Sequence, residues 1–143
     1  MANVYLKNGF ELVDSPYGKG VTIHGLEALH RAIGLALVAS PAALVGSEFR
    51  FLRRELEFPQ AGLARLLGCD EQSIARWEKG QCKRVDPSAD RLLRMLYREA
   101  MMSSDTAKPL ADFLSGIDSK QVAPRQIVAT ASKANWRASS KAA

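Results

Sequence analysis

Cysteine is scarce in this 143-residue chain: Cys69 and Cys82 stand thirteen positions apart, with no C-x-x-C pair. That spacing indicates neither a zinc ribbon nor a disulfide framework, and both residues are expected to be reduced thiols of a cytoplasmic protein. Histidine is equally sparse. His24 and His30, with no third ligand beside them, make a poor metal site. Long apolar runs are missing too. The longest, around Ala32–Val38, falls far short of a bilayer span, and Met1–Phe10 does not read as a signal peptide. No internal repeat occurs at solenoid periods. Paired acids and Ser/His/Asp arrangements at plausible spacing are absent as well, so the expectation is no enzyme, no catalytic residue, no metal and no cofactor. Gly18-Lys19-Gly20 lacks both the P-loop spacing and the following Ser or Thr, and reads as a plain turn.

A hydrophobic content of 47% and a charged content of 24% are those of an ordinary soluble domain with a single core. The formal charge of +5 is compatible with a polyanionic partner without requiring one. Its distribution is more informative. Residues 1–46 carry three basic and three acidic groups, residues 47–102 eleven and nine, and residues 103–143 six and three. The composition and pattern shifts divide the chain in the same way, into an N-terminal strand-plus-helix module (1–46), a helical unit (47–102) and a C-terminal appendage (103–143).

The stretch Gln60–Gly80, QAGLARLLGCDEQSIARWEKG, reads as two short helices joined by a tight turn. Leu63, Ala64 and Leu67 form one apolar face at helical spacing. Gly68 follows where a helix C-terminus favours positive φ. Cys69 is a small plug in the turn, and Asp70 can cap the next helix with its carboxylate. Ile74 and Trp77 turn that second helix back onto the first, leaving Glu71, Gln72, Ser73 and Arg76 on its outer side. These side chains are able to read base edges.

Gln60, Leu63-Ala64, Gly68, Ile74 and Trp77 together resemble the helix-turn-helix of the Cro/repressor-like transcriptional regulators, a likeness that covers roughly residues 46–102. The resemblance implies that the helix 71–79 enters the major groove of double-stranded DNA. It implies base contacts from Glu71, Gln72, Ser73 and Arg76, although an acid at 71 departs from the commoner Gln, Arg or Ser. Gln72 suits adenine and Arg76 suits guanine. An Arg of the first helix in such proteins pairs with an acid near the end of the recognition helix, and the matching positions here are Arg53 and Glu78. That pair is expected to be a partly buried brace. Gln60, at a helix N-terminus, and Lys79, Lys83 and Arg84 are the expected phosphate contacts. The flanks look like antitoxin-related bacterial regulators that join a strand-plus-helix module to such a motif, here without the zinc-ribbon cysteines.

Around that motif, Asn8-Gly9 predicts a type I′ hairpin within VYLKNGFELV, with Asp14–Gly20 as a loop and Val21–Ile23 as a third strand. A helix over Gly25–Ala39 would set Leu26, Leu29, Ile33 and Leu37 inward. Ser47 is a candidate N-cap for GSEFRFLRREL, with Phe49, Leu52 and Leu56 facing the core. Pro87–Met102 reads as a closing helix whose Leu92, Leu93, Leu96, Tyr97 and Ala100 share a face, while Arg91, Arg94 and Arg98 lie opposite with Asp90 and Glu99 interleaved, as a salt-bridged solvated face rather than phosphate contacts, or at a dimer seam. Pro109–Gly116 reads as a short helix. Gln126–Ala131 and Asn135–Ala138 could pair as a hairpin anchored by Trp136 and joined to the N-terminal strands, or the tail could be disordered.

The fold expected is mainly α with small β elements, a five-helix repressor-like core between an N-terminal hairpin-plus-helix module and a short C-terminal segment. The expected function is a homodimeric, sequence-specific transcriptional repressor. The alternative is an antitoxin or adaptor that binds a toxin-like protein through its flanks and autoregulates through DNA; neither reading involves a membrane.

Overall fold

The computed structural model describes Met1 and residues 4–102, 111–112, 114–117, 125–132 and 135–142, the last two stretches for their backbone alone. It is mainly helical with small β elements. In chain order these are β1 (Phe10–Ser15), β2 (Gly18–Ile23), α1 (Leu26–Ala39), α2 (Gly46–Glu55), α3 (Gln60–Leu67), α4 (Glu71–Glu78), α5 (Pro87–Met102), β3 (Arg125–Ser132) and β4 (Asn135–Ala142).

The N-terminal hairpin turns later than Asn8-Gly9 suggests. β1 and β2 pair antiparallel from Phe10↔Ile23 to Ser15↔Gly18, so the turn is Pro16-Tyr17, and Gly18-Lys19-Gly20 belongs to a strand. Pro16 presets φ for the turn. The Ser15 hydroxyl accepts the Tyr17 N–H and donates to the Gly18 carbonyl at 2.8 Å, and Gly18 takes φ +123°. Gly9, at φ +81°, marks the entry to the ladder instead, where its carbonyl accepts the His24 N–H. β3 and β4 pair from Arg125↔Ala142 to Ser132↔Asn135 as a separate two-stranded sheet, not as an extension of β1–β2. The anchoring role expected of Trp136 lies outside the described side chains.

The core is built by α2, α3, α4 and α5. Phe49, Leu52, Leu63, Ile74, Leu93 and Tyr97 are its largest fully buried side chains, with Leu44 and Val85 entering from the connecting segments. Each such side chain contributes about 1.5–3 kcal/mol relative to being left in water. Ala111, followed by helical backbone at Asp112, Leu114 and Ser115, joins the same core from beyond α5. One helix start differs from expectation and one agrees with it. α2 begins two residues earlier than an N-cap at Ser47 would place it, with Val45 at its N-cap and the Glu48 carboxylate accepting the Val45 N–H at 3.1 Å. α5 is capped by Asp86, whose Oδ1 accepts the Ser88 and Ala89 N–H groups at 2.9 and 3.1 Å, with Pro87 in the first helical position.

α1 docks on α5 through a close approach. Gly34 is its one buried residue, and a Cβ there would stand 2.0 Å from the Tyr97 hydroxyl oxygen. Leu26, expected inward, is 49% exposed, and the inner face is instead Leu29, His30, Ile33, Gly34, Leu37 and Val38. The exit of α1 is held by a buried polar clasp. Asp90 accepts Arg94 Nε through Oδ1 and the Leu44 N–H through Oδ2, at 2.5 and 2.9 Å. Arg94 also donates to the carbonyls of Leu37, Ser40 and Ala42. The last turn of α1 and the segment after it are thus held by a guanidinium from another helix, with charge-assisted hydrogen bonds to their carbonyls. At the opposite end, Arg31 Nη2 donates to the Met101 carbonyl at 2.7 Å. Arg94, expected on a solvated face, is therefore a tie between the module 1–46 and the helical unit.

The Gly34–Tyr97 contact generates a stability prediction. In an exposed helix Gly→Ala gains about 1 kcal/mol of propensity, but the wedge against an immobile buried ring costs about 1–3 kcal/mol. Gly34→Ala is expected to destabilise the protein in urea titrations. In a Tyr97→Leu background the same change should cost less than half as much; an equal cost in both backgrounds would rule out the close approach as its origin.

Candidate functional site

α3 and α4 are each eight residues long and each stops in the same way. At the end of α3, Gly68 takes φ +70°, its N–H reaches the Arg65 carbonyl, and the Cys69 N–H reaches the Ala64 carbonyl at 3.0 Å. At the end of α4, Gly80 takes φ +68°, its N–H reaches the Trp77 carbonyl, and the Gln81 N–H reaches the Arg76 carbonyl at 3.0 Å. Both are Schellman closures, which need a residue that tolerates the left-handed conformation. The expected role of Gly68 is met, and Gly80 has the same role. Asp70 occupies the N-cap position of α4, but its side chain makes no cap hydrogen bond there. The Asp70 carbonyl instead accepts the Ser73 and Ile74 N–H groups.

The inner side of α4 is fixed by packing. Ile74 is fully buried, and Trp77 meets Phe49 of α2 edge-on, with ring centroids 5.8 Å apart and planes at 80°. The start of α2 comes so close to the end of α4 that a Cβ on Gly46 would lie 2.0 Å from the Trp77 carbonyl oxygen. Cys69 fills the α3–α4 turn half-buried; burial pushes its thiol up, and the nearby Asp70 and Asp86 charges push it further the same way. A thiol held protonated is a weak nucleophile, which fits a plug rather than a reactive centre.

A charged network ties α2, α3 and α4 together. Arg53 Nε donates to Glu78 Oε1 at 2.5 Å, and Arg53 Nη2 donates to Glu78 Oε2 at 2.9 Å. Arg53 Nη1 donates to the Phe58 carbonyl at 2.7 Å, and Gln60 Nε2 donates to Glu78 Oε2 at 2.9 Å. The two charged side chains are 11% and 4% exposed. Burial drives the Glu78 carboxyl pKa upward, but the hydrogen bonds from Arg53 and Gln60 and the charges of Arg53 and Arg50 outweigh it. The result is a pKa below the ordinary 4.5. Gln60, expected to face phosphate with a free amide, has one N–H of that amide committed to Glu78, so only the other is left for an outside ligand.

The outer side of α4 is open. Glu71, Gln72 and Arg76 are exposed and Ser73 is half-buried, with Arg76 Nη2 donating to the Ser73 hydroxyl at 3.2 Å. Lys79 closes the helix, exposed, and Lys83 and Arg84 are exposed on the segment that follows Gly80. The four residues expected to meet bases thus share one helix, with the three expected basic phosphate contacts following its C-terminal end. Two arrangements had no clear signal in the sequence: the reach of Arg94 to the carbonyls of Leu37, Ser40 and Ala42, and His30 Nδ1 lying 2.9 Å from Glu55 Oε1 across α1 and α2. His24 lies 3.2 Å from Glu11 Oε1 at the base of the hairpin. Among the described residues no three His, Cys, Asp or Glu side chains are grouped to hold a metal, and no helix is long and apolar enough to cross a membrane.

Removing one member of a buried ion pair costs about 3–5 kcal/mol, whereas replacing both by apolar groups is often near neutral. Glu78→Leu should therefore lower the urea midpoint far more than Arg53→Met/Glu78→Leu does. The depressed Glu78 carboxyl contributes stability that is present in full above the unfolded-state value near 4.5 and is lost as pH falls through the lower folded value. The wild type should accordingly lose more stability than the double variant over that acid window. A single variant as stable as the double would show that the network is not a brace.

No family model, no curated protein and no solved structure matches this chain, and the functional reading rests on the residues described above.

Proposed function

We propose that this chain is a sequence-specific DNA-binding transcriptional regulator, a homodimeric repressor of the Cro/repressor-like kind. In this reading α3, the Gly68–Asp70 turn and α4 form its helix-turn-helix, and α4 enters the major groove. The observation that carries the reading is the contrast between the two sides of α4. One side is locked by Ile74, Trp77 and the Arg53–Glu78–Gln60 network, while the other presents Gln72 and Arg76 to solvent. A side chain that must recognise a base edge has to be held by a rigid helix and left free of structural duty. The brace supports the likeness further, because an Arg–Glu pair at these positions is what that resemblance implies.

In the proposed complex Gln72 takes adenine, Arg76 takes guanine, and Glu71 accepts from a cytosine amino group or stays clear of the bases. Lys79, Lys83, Arg84 and the uncommitted amide hydrogen of Gln60 meet phosphates, which position the helix without reading sequence. Two copies place their α4 helices in successive major grooves about 34 Å apart on a pseudo-palindromic operator. Repression follows from covering the promoter.

A second reading, an antitoxin or adaptor that grips a toxin-like protein, is favoured by one observation. The β1–β2 hairpin leaves Leu12 76% and Val21 59% exposed as direct cross-strand partners, an apolar pair unusual for a hairpin facing water. Selection of bound DNA from a random pool separates the two: a recovered palindrome supports the regulator, and no enriched site leaves the adaptor.

With the selected site in hand, Gln72→Ala and Arg76→Ala are each expected to cost about 1–3 kcal/mol on the cognate sequence and to relax the preference at one position. Lys83→Ala should weaken all sequences alike and reduce the salt dependence by about one counterion. Gel-shift titrations in which none of the three changes affinity would overturn the proposal.

A further inference from the structure

An open polar cavity of about 500 Å³ lies away from the outer side of α4, between α1, α2 and the end of α4. Its walls include His30, Arg50, Phe51, Arg54, Glu55 and Glu78. The volume lies within the range of small-molecule sites. The charges in it are unevenly used. Glu78 is spent on Arg53 and Gln60, and Glu55 is engaged through one oxygen by His30, whose ring stands edge-on to Phe51 at 5.6 Å. Arg50 and Arg54 are exposed, one helical turn apart on α2, and donate no hydrogen bond to any described residue. Ser47, at the start of the same wall, adds a hydroxyl.

We propose that this cavity binds a small organic anion: its carboxylate or phosphate group bridges Arg50 and Arg54, and a donor group at its other end meets the second oxygen of Glu55. Side chains at i and i+4 share one face of a helix, which sets two guanidinium groups, each able to donate in charge-assisted hydrogen bonds, within reach of one oxyanion. The Phe51 and His30 rings give the ligand's carbon frame a surface to lie on. The cavity touches both the N-terminal module, through His30, and the Arg53–Glu78 brace, through Glu78. An anion held there draws Arg50 away from Glu78 and places a like charge beside it. Occupancy is therefore felt at the network that orients α4. None of this depends on what α4 binds.

The test uses the full chain, titrated separately with citrate and with inorganic phosphate at constant ionic strength, with sodium chloride as the control. The readouts are the His30 ring resonances and the Nε–H resonances of Arg50, Arg53, Arg54 and Arg91. Saturable shifts at Arg50, Arg54 and His30, followed at saturation by Arg53, are the expected result, with an apparent Kd of about 1 mM or tighter. Saturation by citrate alone identifies a carboxylate ligand, and saturation by phosphate alone a phosphorylated one. Arg50→Gln/Arg54→Gln should weaken binding at least tenfold, whereas Arg91→Gln, an exposed cation on α5, should leave it unchanged. Should the double variant lose its helical circular dichroism, the two single variants carry the comparison. Shifts that never saturate, that match the chloride control, or that appear equally at Arg91 would overturn the site.

Discussion

A guanidinium removed from water has to find its hydrogen bonds inside the protein, and Arg53 finds them in two separate segments of the chain. It engages both oxygens of Glu78 at the end of α4 and the Phe58 carbonyl just before α3, while Gln60 secures one of those oxygens from the first position of α3. Apolar packing of Ile74 and Trp77 sets how deeply α4 sits, but dispersion contacts tolerate sliding and rotation. A bidentate charged pair does not, because its donors and acceptors are directional. Depth thus comes from the core and orientation from the pair, and a helix of only two turns needs both. Such a pair need not add net stability.

The second charged device works on connectivity. Residues 40–45 leave α1 without regular structure, and such a segment costs conformational entropy when pinned. Arg94 and Asp90 pin it through the Ser40 and Ala42 carbonyls and the Leu44 N–H. Together with the Gly34–Tyr97 approach, this makes α1 part of the helical body. The boundary drawn at residue 46 on composition separates two sequence patterns, and α1 packs across it.

What was legible in the sequence was local. Helix periodicity placed α3, α4 and α5 close to their observed bounds, and Gly68 could be assigned because its left-handed conformation is a single-residue requirement. The pairing of Arg53 with Glu78 came from likeness to a family pattern; spacing alone does not single it out from the other Arg and Glu combinations in this unit. Where reasoning from single residues failed, a longer-range competitor had won. Asn8-Gly9 is a strong hairpin signal, yet Ser15-Pro16-Tyr17-Gly18 closes the hairpin with its own side-chain hydrogen bonds. Ser47 is a good cap residue, but Glu48 reaches back and α2 starts earlier. Arg94 looked solvated because its acceptors are backbone carbonyls more than fifty residues away, and carbonyls leave no trace in a sequence. The cavity beside Arg50 was invisible for the same reason, since it is made by three helices meeting.

The division of α4 into a locked side and an open side also sets how the chain can change over generations. Glu71, Gln72 and Arg76 are exposed, with Arg76 spending one N–H on Ser73, so substitutions there perturb folding by little more than surface changes do, within about half a kcal/mol. Ile74, Trp77 and Glu78 have no such latitude. Selection can therefore rewrite the outward lettering of this helix one residue at a time without passing through unfolded intermediates, while the scaffold stays constant.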